Sequence, residues 1–133
     1  MTQTKGKKMA NRNFHRVQSL SREVKILHAK VAIGASGAPT LSVNDSVGVA
    51  SITRDSAGVY EVTLDDAYSS FLHFNVIMLE ATAEDVTFQV ESETVATTKI
   101  IKFQCKTAEV ETDPSSGSVL HIRIEVKNTS VVR

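Results

Sequence analysis

The side chains of this 133-residue chain that could carry chemistry are few, and their spacing assembles none of the familiar catalytic sets. The one cysteine, Cys105, stands in an alternating run between Phe103 and Thr107, with polar Gln104 and Lys106 beside it. A thiol on the inward face of a strand acts as a small hydrophobe, whereas a nucleophilic cysteine needs an accessible, electropositive setting that lowers its pKa. The four histidines, His15, His28, His73 and His121, lie far apart and form no zinc-site spacing with each other or with Cys105. His73 falls in an apolar run and is expected to be partly buried, while His121 is expected to face solvent. Asp65-Asp66 and Glu84-Asp85 are adjacent carboxylates. Neighbours on a strand point to opposite faces, and neither loop alternates oxygen ligands as a calcium loop does, so turn chemistry accounts for both. The chain has no Gly-x-Ser-x-Gly elbow and no glycine-rich phosphate loop. Residue chemistry therefore predicts no enzyme, no cofactor and no metal site.

The elements that would position any site read as strands. Val47 to Tyr68 is the clearest stretch: Tyr60, Val62 and Leu64 alternate with Glu61 and Thr63, and the polar Arg54-Asp55-Ser56-Ala57-Gly58 precedes them. That is a β-hairpin with a turn of about five residues. Leu72 to Ala81 is apolar on both faces and is expected to be a central strand. Val86, Phe88 and Val90 alternate with Thr87, Gln89 and Glu91; Ile101, Phe103 and Cys105 alternate with Lys102, Gln104 and Lys106. Asp113-Pro114-Ser115-Ser116-Gly117 is a turn, and Leu120, Ile122, Ile124 and Val126 alternate with His121, Arg123, Glu125 and Lys127. Seven or eight such strands, with turns every 8–12 residues, predict an all-β, antiparallel sandwich or jelly-roll-like domain. With no Trp and only five Phe and two Tyr, its core must be Val, Ile, Leu and Ala, which suits two thin packed sheets. The longest apolar run, Phe71 to Leu79, is far short of the ~20 residues of a membrane helix, so no membrane partner is expected. A single cysteine excludes an internal disulfide framework and fits a reducing compartment.

A net charge of zero hides a division. Residues 1–30 carry eight cations and one anion, and residues 31–133 carry seven cations and fourteen anions. This pattern predicts a basic N-terminal arm, residues 1–23, on an acidic sandwich domain, residues 24–133. Val17 to Val31 fits two patterns. Val17, Leu20, Val24, Leu27 and Val31 make a 3-4-3-4 helical stripe, while Leu27, Ala29, Val31 and Ile33 alternate as a strand. A helical turn near Ser19–Glu23 leading into a strand from about Val24 to Ile33 is the first reading, and a continuous helix is the second. In the arm, Phe14, Val17 and Leu20 are apolar anchors and Arg12, Arg16 and Arg22 are cations, a set suited to docking on a neighbouring protein. Nucleic acid is the weaker partner, because only Phe14 and His15 interleave the charges for base stacking. No apolar h-region follows the first lysines, so no secretory signal is expected and the Asn128-Thr129-Ser130 sequon is without consequence, and Met9 offers a second possible start.

Three stretches resemble a family of small tailed-bacteriophage virion proteins: Met9-Ala10-Asn11-Arg12-Asn13-Phe14 with Arg16 to Lys25, Gly48 to Arg54 with Gly58 to Tyr68, and His121 to Val131. The resemblance implies a non-enzymatic structural protein, most specifically a capsid decoration (cement) protein that bridges major capsid subunits as a homo-oligomer, a trimer or dimer. It also implies a location on the capsid surface of the virion after synthesis in the host bacterial cytoplasm. The alternative within the same resemblance is a tail or head-fibre module that binds a receptor. A sugar-binding tip of that kind expects exposed aromatics, and most aromatics here fall at inward positions.

Overall fold

A computed structural model of the chain describes residues 24–128. They form nine strands: β1 Val24–Ile33, β2 Pro39–Leu41, β3 Val49–Ser56, β4 Val59–Leu64, β5 Ser70–Leu79, β6 Thr87–Glu93, β7 Ile100–Thr107, β8 Val110–Glu111 and β9 Val119–Lys127. Two antiparallel sheets pack face to face as a β-sandwich. The first has the order β2-β1-β9-β5, the second β3-β4-β7-β6, with β8 beside β7. Short 3₁₀ turns at Ala35–Gly37 and Val43–Asp45 flank β2.

The core lies between the sheets and is built by period-2 alternation, which puts every second side chain inward. From the first sheet come Leu27, Ala29, Val31 and Ile33 of β1 and Leu120, Ile122, Ile124 and Val126 of β9. From the second come Tyr60, Val62 and Leu64 of β4 and Ile101 and Phe103 of β7. Phe103 is the centre of the aromatic packing: the rings of Tyr60, Phe74 and Phe88 lie 5.7, 5.1 and 6.4 Å from its own. Such offset and tilted contacts add to area burial because ring edges and faces carry opposite partial charge.

Four expectations need correction or completion. Over the described part of Val17 to Val31 the backbone is strand from Val24, so a helix continuing to Val31 is excluded; its partner β9 has the same alternation, and pairing in full register hides both apolar faces. The β3–β4 connection is shorter than five residues, since Ser56 already pairs with Val59 around Ala57-Gly58, and a register shift after Arg54 takes up the extra length. The apolar run at Leu72 is not a central strand: β5 has β9 on one side and ends the first sheet on the other, with Leu72, Ile77 and Leu79 exposed. Finally, β2 and β8, three and two residues long, are too short to show a periodicity.

Candidate interaction surface

A polar junction closes one end of the sandwich. Arg54, near the end of β3, donates from Nε and NH2 to the two carboxylate oxygens of Asp113 at 3.0 and 2.9 Å, 59 positions along the chain. The Gly58 N–H donates to Asp113 Oδ1 at 2.8 Å, and the buried Tyr60 hydroxyl donates to the Gly37 carbonyl at 2.8 Å. One carboxylate thus ties the β3–β4 turn, the loop after β8 and, through Tyr60, the turn before β2. The Arg54 guanidinium, with the Gly58 amide, holds the Asp113 carboxyl below the usual carboxylate range against the opposing effect of burial. Burial, and then the Asp113 charge, pushes the Tyr60 phenol well above its ordinary value. The Gly58 amide, the Tyr60 hydroxyl and the Asp113 carboxylate all have partners and the phenol is held as a neutral donor, so the junction acts as a fastening. Its sequence signal was slight, because Asp113-Pro114 reads locally as a turn and the partners are distant.

The other candidates are placed singly. Cys105 is wholly buried on β7, and burial first, then the charges of Asp113 and Glu84, pushes its thiol up to about 11. That is the opposite of thiolate activation. Asp66 and Glu84 serve their loops: Asp66 accepts from the Ala67 amide at 2.8 Å, and Glu84 accepts from the Ser115 hydroxyl at 2.6 Å. His121 is exposed, as expected; His73 is also exposed, against expectation, because it follows the bulge at Leu72 and lies opposite outward-facing Glu125. His28, Lys30, Asp45 and His121 line a shallow depression of about 340 Å³. Among the described residues no three His, Cys, Asp or Glu side chains are grouped to hold a metal ion. The arm residues Arg12, Phe14, Arg16, Val17, Leu20 and Arg22, and with them His15, lie outside the described residues.

The two outer faces of the sandwich differ in kind. The second sheet presents a polar, internally paired face: Lys102 reaches Asp55 at 3.3 Å and Glu61 at 3.4 Å, Gln104 donates to Glu91 at 2.8 Å, and Lys106 donates to Gln89 at 2.7 Å. The outer face of the first sheet is mixed: β9 lays His121, Arg123, Glu125 and Lys127 along it, and apolar side chains stand exposed on β1 and β5 to either side. Ile26 on β1 shares a row with Glu125 and Ile77 on β5 shares one with His121, with the row of His28, Arg123 and Asn75 between them; Leu79 is at the far end of β5, and Val47 lies opposite exposed His28. Ile77 and Leu79 are each 62% exposed and Val47 is 61% exposed. Six of the seven large hydrophobics exposed among the described residues belong to this sheet or to the segment between β2 and β3; the seventh is Val110. Single exposed hydrophobics are ordinary, but their concentration on one sheet and the segment beside it, across the sandwich from a polar and internally paired face, marks that side as suited to contact. Cations Lys30 and Arg123, paired with Asp45 at 3.7 Å and Glu125 at 3.3 Å, stand among these apolar side chains, Arg123 between Ile26 and Ile77. Comparison of the chain with models of known families, with curated proteins and with solved structures finds no match.

Proposed function

We propose that the chain is a non-enzymatic structural protein of a tailed-phage virion, a capsid decoration protein that binds major capsid subunits and bridges them. The observation that carries this reading is the unequal treatment of the two outer faces: one exposes Ile26, Ile77 and Leu79 among its polar side chains, the other is polar and paired within itself. A protein that coats a head needs one face for the shell and one for solvent, and needs no catalytic group. The basic segment before β1 supports the reading, since a cationic arm adds encounter rate and orientation on an acidic lattice. So does the resemblance of the three stretches quoted above to small phage virion proteins.

The test is co-sedimentation of the purified full chain with empty, nucleic-acid-free heads of the phage that encodes it, across a salt series. Ile26→Asp with Val47→Asp, both at exposed positions, is expected to reduce attachment at least tenfold while leaving the melting temperature within a few degrees. Removing residues 1–20 is expected to weaken attachment, most at low salt. Attachment of the double variant equal to that of the original chain, or attachment only to DNA-filled heads, would sink the proposal.

A further inference from the structure

The sandwich has four sheet edges, and three carry the devices that keep strands from pairing with strangers. The β2 edge is three residues long and begins with Pro39. The β3 edge is interrupted by two register shifts and carries Arg54 and Asp55. The β6 edge has a register shift after Val90 and carries Glu91 and Glu93. The β5 edge is different. Its ten residues, Ser70–Leu79, include no proline and no Lys, Arg, Asp or Glu, and after one bulge near Phe71 the strand runs in unbroken register with β9 from His73 to Leu79. Among the described residues nothing pairs with its other side. The inward side chains Phe74, Val76 and Met78 are only half-buried, whereas their neighbours Ile124, Ile122 and Leu120 on β9 are fully buried. Beside them an open groove of about 370 Å³ runs between β5 and β6, lined by Phe74, Val76, Val86, Phe88 and Val90.

We infer that the β5 edge is the docking site for the β5 edge of a second copy of this chain, the two strands pairing antiparallel about a two-fold axis at Val76. The regular segment His73 to Leu79 has Val76 at its centre, and side chains opposite one another in an antiparallel pair share a face. This register sets Phe74 against Met78 of the second copy on the core side, and Asn75 against Ile77 on the outer side. A second copy is the occupant because the strand is self-complementary: it has no charge to repel its own image, which a β6–β6 pairing would have in Glu91 and Glu93. The axis also brings the two grooves together, so that Phe88 and Val90 of both copies close the same seam. A flank about 24 Å long and two sheets thick gives several hundred Å² per copy, at the lower end for a specific dimer, so the association is concentration-dependent.

The dimer deepens the decoration reading by naming one partner, and it is tested on purified protein alone, so that its failure is distinct from failure to attach to heads. Sedimentation velocity of the full chain over a concentration series is expected to show a monomer–dimer equilibrium. Asn75→Glu with Ile77→Glu places like charges opposite each other across the axis, while the carboxylate at position 75 faces Arg123 within its own sheet. Association is expected to fall about tenfold or more, with the fold intact. Asn75→Glu with Ile77→Lys makes the same cross-axis pairs attractive and is expected to retain the dimer. Backbone amides of residues 73–79 are expected to be protected from hydrogen exchange in the dimer and less so in the first variant. A chain that stays monomeric at every concentration, a dimer indifferent to the paired carboxylates, or equal loss in both variants overturns the inference.

Discussion

Asp113 offers the sharpest test of how the loops of this sandwich are held. Replacing it by Ala removes the acceptor for the Gly58 amide and leaves the Arg54 guanidinium facing the hole. The Gly58 bond is partly buried, and a buried donor left unpaired costs about 1–3 kcal/mol. The Arg54 fork is at the surface, where solvent screens it, and is left out of the figure. A loss of about 2 kcal/mol, or roughly 6–10 °C in Tm for a chain of this size, is expected at pH 7 by urea and thermal denaturation. The pH dependence gives the sign. Arg54 chiefly holds the folded carboxyl below its ordinary value, so the folded chain binds this proton at lower pH than the unfolded chain does. The stabilisation is complete above the unfolded value of about 3.9 and is lost as pH falls through the lower folded value. Asp113→Asn, which keeps the shape and loses the charge, should therefore differ from the original chain at pH 7 and approach it in acid. A gap that stays constant down to about pH 2, or a variant as stable as the original at pH 7, would refute the role given to the carboxylate.

Three further outcomes follow from local geometry. At Gly58 φ is +73°, and an added Cβ would lie 2.5 Å from the Thr112 nitrogen and 2.7 Å from the Cys105 oxygen, so Gly58→Ala should cost about 3 kcal/mol or more in a urea titration. Ala108 and Glu109 join β7 to β8 with φ of 52° and 68°, the two-residue turn that favours Asn-Gly; Glu109→Gly should raise stability by about 1 kcal/mol, seen as a higher Tm. Cys105 in the folded chain should resist a thiol reagent at pH 8 and react on unfolding, and Cys105→Ser should cost about 1–3 kcal/mol because its hydroxyl enters an apolar setting, while Cys105→Val should be milder.

Where one face of a strand is buried and the other wet, the order of residues states the fold directly. The alternations at Tyr60–Leu64, Ile101–Cys105 and Leu120–Val126 are the inward faces of β4, β7 and β9. At β5 the same logic misleads. An apolar residue on both faces ordinarily means cover on both faces, but Ile77 and Leu79 are apolar and exposed, so the run looks central while it ends a sheet. The exposed apolar side chains of the first sheet were not legible as a set for a related reason: Ile26, Val47 and Ile77 come from separate parts of the chain, and only strand order brings them to one sheet. The Arg54–Asp113 junction joins residues 59 positions apart, a distance at which local pattern carries no information.

The exposed apolar features are not independent. Ile77 and Leu79 belong both to the outer face of the first sheet and to the strand at its open edge. If two copies pair along β5 within one extended sheet, the axis stands perpendicular to that sheet, and the outer faces of both copies point to the same side. Pairing would thus leave the contact face open and double it, while the polar faces of the second sheets remain together on the opposite side. A two-copy platform of this kind meets a repeating surface at two points at once. Two weak attachments joined by a rigid span exceed either one by about 10²–10⁴ in avidity when the spacing of the surface matches, and gain nothing when it does not. Selectivity for a lattice over a free subunit then needs no specific pocket. It follows from strand pairing at one edge and apolar contact on one face.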